Sequence, residues 1–160
     1  MSKLDDLYNV LKEQLQLYES FLKIEEEKYN VILIDDIKKL DEIVSEEQVF
    51  FLKSRGLDQR REKILGELGF SGKTLKEVIN NIEPIEKDRF TKMHADIFSV
   101  LAAFKDKNNQ CQDLVQIRLH RAQQMISKLD ESKNINKQYF KDGSTDEIDV
   151  KKMNFISKRI

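Results

Sequence analysis

From Phe90 to Leu129 one side of the chain repeats at steps of three and four residues: Phe90, Met93, Ile97, Leu101, Phe104, Asn108, Cys111, Val115, Arg118, Ala122, Met125 and Leu129. A seam with that period belongs to an α-helix wound against other helices. It predicts a single helix from about Ile85 to Leu129, roughly 65 Å long at 1.5 Å per residue. Pro84 stands where a helix start tolerates it.

The chain opens with the same period. Leu4, Tyr8, Leu11, Leu15, Tyr18, Leu22, Tyr29 and Ile32 form a second seam, widened by Leu7 and Phe21, with Glu25 in its one gap. This predicts a first helix over about residues 3–34, with Ser2 as its N-cap and Asp5 and Asp6 suiting the helix dipole. At Asp35 and Asp36 one apolar run ends and another begins. A tight turn at residues 34–36, capped by Asp35, is the expectation; one unbroken helix is the alternative. The second helix then covers about residues 36–68. Its stripe takes Ile37, Leu40, Ile43, Val44, Phe50, Phe51, Leu57, Ile64, Leu65 and Leu68. Gly56 inside it marks a close approach or a bend. "GELGFSG" ends it, with Gly69 and Gly72 as left-handed caps. Thr74 and Glu77 form a capping box for a short helix, "TLKEVINNI".

The fold class is therefore all-α: an elongated antiparallel bundle or coiled-coil hairpin of three long helices plus one short helix. The first two helices are each roughly 48 Å long, so the longer third overhangs them. Residues 1–130 are expected to form the bundle. Residues 131–160 lose the period and are expected to be mobile alone, although Ile148, Val150, Met153 and Ile156 would also make one modest amphipathic helix packed back on the bundle.

Composition agrees with long solvated helices: 36% of residues are charged, with five glycines and one proline among 160 residues. No basic-plus-apolar leader follows Met1 and no uncharged run approaches the ~18 residues of a membrane span, so a cytoplasmic protein is expected. The single Cys111 fits a reducing compartment. Residues 1–69 hold 11 basic and 16 acidic residues, a balance of −5; residues 70–160 hold 17 and 13, a balance of +4. Neither is concentrated enough to argue for nucleic acid. The uneven balance fits a protein partner, or two halves that face each other.

Chemistry is sparse. A helical di-iron site needs Glu-x-x-His pairs, but His94 and His120 are preceded at that spacing by Thr91 and Ile117. No cofactor, metal or catalytic residue is expected. Cys111 reads as a small core residue with no histidine placed to activate it. The clusters Glu25–Glu27 and Arg60–Arg61 read as solvated helix faces. Asn108 and Arg118 interrupt the long seam; either a buried polar residue fixes register there, or that part of the seam is uncovered.

The stretch "LYESFLKIEEEKYNVILIDDIKKLDEIVSEEQVFFLKSRGLDQRREKILGELG", followed by "TLKEVI", resembles the FlgN family of flagellar export chaperones. The resemblance rests on Leu17-Tyr18, Glu27, Asp36, Leu40, Arg60 or Arg61, Leu68-Gly69 and Thr74-Leu75. It covers residues 4–80 by pattern and the rest by layout. A lysine of the family's second helix is replaced here by Glu47-Gln48, and Gly56 interrupts that helix. The resemblance implies a non-enzymatic cytoplasmic chaperone. It would bind hook-associated proteins of the hook–filament junction (FlgK- and FlgL-like), prevent their early assembly and deliver them to the type III export gate. It also implies a client-binding region at the end of the long helix, matched here by Val115, Leu119, Ala122, Met125, Ile126 and Leu129. A tyrosine that helps docking at the export gate is matched by Tyr139, with Gly143 four residues on. A structural coiled-coil protein that self-assembles is the competing reading, and the seams would equally serve a homo-oligomer.

Overall fold

The computed structural model describes residues 2–133, which form four helices: α1 (Lys3–Leu33), α2 (Ile37–Glu67), α3 (Leu75–Asn81) and α4 (Pro84–Lys133). α1 is the central rod, packing against α2 on one side and α4 on the other, while α3 packs against α4. Side-chain pairs give the directions. Gln14 meets Asp58 and Lys28 meets Glu47, so α2 runs back along α1. Asp5 meets Arg89, Glu25 meets Asn108 and Asp35 meets Arg118, with near-constant separations of 84, 83 and 83 residues. α4 therefore runs parallel to α1.

Local chemistry sets the helix ends. The Ser2 hydroxyl accepts from the Asp5 amide and the Asp5 carboxylate accepts from the Ser2 amide, a reciprocal cap for α1. Thr74 and Glu77 do the same for α3. The turn between α1 and α2 lies where the two aspartates predict it and excludes the unbroken helix. Its cap is Asp36 rather than Asp35: the Asp36 carboxylate accepts from the Lys39 amide at 3.1 Å. Asp35 instead takes the left-handed position, φ 56°, which aspartate tolerates better than bulkier residues. α2 stops in a Schellman arrangement. The Phe70 amide bonds the Leu65 carbonyl and the Gly69 amide bonds the Gly66 carbonyl, with Gly69 at φ 80°. Gly56 marks no close approach: a Cβ there would meet nothing within 4 Å, and α2 runs through it.

Packing corrects two of the seams. In α1 the buried line is Leu7, Leu11, Gln14, Tyr18, Phe21, Glu25, Lys28 and Ile32, still a three-four repeat. Leu4, Tyr8, Leu15 and Leu22 are half-buried on its shoulder. A helix squeezed between two neighbours turns its midline to both, and here that midline includes three polar side chains that an apolar pattern passes over. In α2 the buried residues are Ile43, Glu47, Ser54, Asp58, Arg61 and Leu65, whereas Phe50, Leu57 and Ile64 are half-buried and Ile37 is 71% exposed. The reading of Glu25 and Arg61 as solvated therefore fails, since both are buried. Glu26, Glu27 and Arg60 do face solvent. The α4 seam holds through Phe90, Met93, Ile97, Phe104, Asn108 and Cys111, all buried, with Leu101 half-buried.

The interior is layered along the rod. Near the α1 start lies an aliphatic and aromatic core around Leu7, Leu11, Phe90, Met93 and Ile97, closed by Leu75, Val78 and Ile82. Next comes a polar layer. The Gln14 amide donates to Asp58 at 3.0 Å, and buried Tyr18 is hydrogen-bonded with Ser54. Burial, and then the Asp58 carboxylate, push the Tyr18 phenol up to about 12. Above it sits an aromatic layer in which Phe21 makes edge contacts with Phe50, Phe51 and Phe104 at 5.2, 5.2 and 4.5 Å. A second polar layer follows, then the hairpin turn.

Candidate functional site

The rods differ in length, and that difference creates the exposed end of the molecule. Arg118 stands level with the α1–α2 turn, where its guanidinium donates to Asp35 at 2.7 Å and to the Leu33 carbonyl at 2.8 Å. The Leu33 carbonyl is one of the acceptors that a helix end leaves without an intrahelical donor. Beyond Arg118, α4 continues for 15 residues to Lys133, about 22 Å past the hairpin.

Five of the six residues expected to bind a partner lie on this extension or at its base, within two faces. Val115, Leu119, Ala122 and Ile126 follow one another at helical spacing and are all half-buried. Met125 is 67% exposed and Leu129 is 49% exposed, one turn apart on the adjoining face. By the 83-residue offset, Val115 is level with Ile32 and still beside α1, while Ala122 and its successors lie past the turn. Tyr139 and Gly143, expected to dock at the export gate, fall outside the described residues.

The apolar pattern did not single out a second feature, the hairpin tip itself. Leu33, Ile34 and Ile37 are exposed there, as is Ile117 on α4. The signal was the uninterrupted "VILIDDI": a turn built inside an apolar run must leave some of that run outside.

Between the aromatic layer and the tip, the second polar layer joins all three long helices. Glu25 of α1 is fully buried and accepts from the Asn108 amide of α4 at 2.9 Å. Lys28 lies 3.1 Å from Glu47 of α2 and 3.6 Å from Glu25. Gln112 donates to Asn108 at 3.0 Å. Of the two readings of Asn108, the uncovered seam is excluded, since Asn108 is buried and bonded to Glu25. Glu47, the first residue of the Glu47-Gln48 pair at which the chain departs from the resemblance, meets an ammonium from α1.

Burial, and then the nearby Glu25 charge, push the Cys111 thiol up to about 12, and its S–H donates to the Glu25 carbonyl at 3.6 Å. A thiol in that state is a packing group rather than a nucleophile. His94 stacks on Phe98, and His120 is exposed. Among the described residues no group of three His, Cys, Asp or Glu side chains is arranged to hold a metal, and no helix is long and apolar enough to cross a membrane.

The long helix α4 runs parallel to α1 and outruns the two-helix hairpin, with apolar residues toward its end. The family model described as FlgN protein matches residues 1–147. The chain belongs to the FlgN family. FlgN proteins are flagellar export chaperones. No curated protein and no solved structure matched the chain. The residues that carried the resemblance to FlgN now have physical roles. Asp36 caps α2, Leu68-Gly69 ends it, Thr74 caps α3, and Arg60 forks onto Glu13 at 2.8 and 3.3 Å. These residues are punctuation and cross-ties of the bundle, while Tyr18 and Leu75 belong to its core.

Proposed function

We propose that this FlgN protein is a non-enzymatic cytoplasmic chaperone for hook-associated proteins of the hook–filament junction, which it keeps from assembling early and delivers to the export gate. The observation that carries this reading is the overhang. Ala122, Met125, Ile126 and Leu129 give α4 an apolar end past the hairpin, continued toward its base by Leu119 and, beside α1, by Val115. An amphipathic client helix would lie along that face with its own apolar side inward, as in other helix-in-groove complexes. Methionine suits such a seat because its unbranched side chain repacks against different surfaces.

Residues 131–160 act with the extension in this reading. Their scattered apolar residues add contacts to the client beside those of α4. Tyr139 and Gly143 serve docking at the export gate.

The test is co-purification of the full chain with candidate junction proteins, followed by a binding titration. A stoichiometric complex with one of them is expected. A concentration-dependent mass without affinity for any junction protein would instead identify a self-assembling coiled coil.

A further inference from the structure

The second polar layer brings two buried carboxyls to one buried ammonium. From α1 it receives Glu25 and Lys28; from α2, Glu47; and from α4, Asn108 and Cys111, with Lys107 acting on the Cys111 side. Asn108 is neutral and Cys111 stays a thiol. With both carboxyls ionised, two buried carboxylates would share one ammonium. Glu25 Oε2 is buried and receives no hydrogen bond, while its Oε1 is taken by Asn108. The Glu47 carboxyl is within hydrogen-bonding reach of Glu25. A buried carboxylate oxygen without a donor, in a group beside a second carboxyl, costs free energy unless one of the two carboxyls is protonated.

We propose that Glu25 and Glu47 hold one proton between them at neutral pH, forming a carboxyl–carboxylate hydrogen bond, and that losing this proton at alkaline pH loosens the bundle beside the hairpin tip. The shared proton supplies a donor within the carboxyl pair and leaves one carboxylate facing one ammonium. The balance of forces on Glu47 agrees: burial and then Lys28 act in opposite directions, Glu25 adds to burial, and the group titrates at about 8. In the unfolded chain a glutamate releases its proton near its ordinary 4.5. The folded state therefore binds the extra proton between those limits. This contribution to stability is complete below about 4.5, shrinks as pH rises, and is gone above about 8.

The layer lies one Glu25-to-Asp35 span below the turn, about 15 Å along α1. Deprotonation would thus act close to the Arg118 contact and the base of the α4 extension. A pH-sensitive joint there is independent of which client the extension holds.

Side-chain carboxyl NMR of the full wild-type chain reads the shared proton directly. One of the two buried glutamates should titrate at about 8. Thermal melts supply the second measurement. Between pH 6 and 9 the wild-type midpoint should fall by at least about 5 °C. In Glu47→Gln, whose amide donates to Glu25 without titrating, it should stay nearly level and exceed the wild type at pH 9. Titration of both buried carboxyls below pH 5 overturns the proposal, as does a Glu47→Gln melt profile that follows the wild type.

Discussion

Arg118 and Asp35 are 83 residues apart in sequence, yet the guanidinium of one lies 2.7 Å from the carboxylate of the other. The contact ties α4 to the tip of the hairpin, and the same guanidinium covers the Leu33 carbonyl at the end of α1. Both partners are partly exposed, so the ion pair alone contributes no more than about 1 kcal/mol. Its larger effect is positional, since it marks where the supported part of α4 ends and the extension begins.

Arg118→Ala should therefore lower global stability by only about 0.5–1.5 kcal/mol in a denaturant titration. Amide hydrogen exchange along α4 should rise more clearly, concentrated between residues 112 and 126. Unchanged exchange there would mean that packing at Val115 and Leu119 holds the helix without the arginine.

Met125→Asp and Ile97→Asp should separate binding from folding. Met125 is mostly exposed and Ile97 is 2% exposed in the main core. The first change should leave the thermal melt nearly unaltered and weaken client binding by about 1–3 kcal/mol, roughly 5- to 150-fold, because a carboxylate would be desolvated in the complex. The second should destabilise the fold by several kcal/mol, about 4 or more. Equal unfolding in both variants would remove the α4 extension as the binding seat.

Phe21 is the hub of the aromatic layer, with three rings against its own. Phe21→Ala should cost about 3–5 kcal/mol of stability, from lost burial plus the cavity left among Phe50, Phe51 and Phe104. A loss below about 1 kcal/mol would show that the layer collapses freely.

Glycine substitutions should act with opposite signs on the two sides of the α2 end. Gly56 is helical with open space where a Cβ would go, so Gly56→Ala should stabilise by about 0.5–1 kcal/mol. Gly69 holds φ 80° in the Schellman turn, and Gly69→Ala should destabilise by about 1–2 kcal/mol. Chemical denaturation of both variants checks the pair of signs.

Asp5 should govern part of the acid limb. Hydrogen bonds from Arg89 and then from Ser2 hold its carboxyl down at about 2, below its ordinary 3.8. A depressed folded value means that this stabilisation is present above 3.8 and is lost as pH falls toward 2. In Arg89→Gln the NMR titration midpoint of Asp5 should move up toward 3.8. A midpoint left near 2 would assign the effect to the Ser2 cap alone.

The chain by itself determined its helices. Three-four periodicity, the Ser2 and Thr74 caps, paired aspartates at the turn and Gly69 are local signals, each acting within a few residues, so their outcome is written where they stand. The α4 seam was also legible, because Phe90 through Cys111 meets its neighbours with apolar or small side chains, apart from Asn108. Only the tertiary structure decided which face of α1 and α2 turns inward. A central rod buries whatever lies between its two partners, and here that includes Gln14, Glu25, Lys28, Glu47, Asp58 and Arg61. A polar side chain gives no sign in sequence that it will be buried, since its burial depends on a complementary group 44 or 83 positions away, as for Gln14 with Asp58 and Glu25 with Asn108. The overhang followed from helix lengths alone. Its base, at Arg118, required the register between α1 and α4, which only their packing sets.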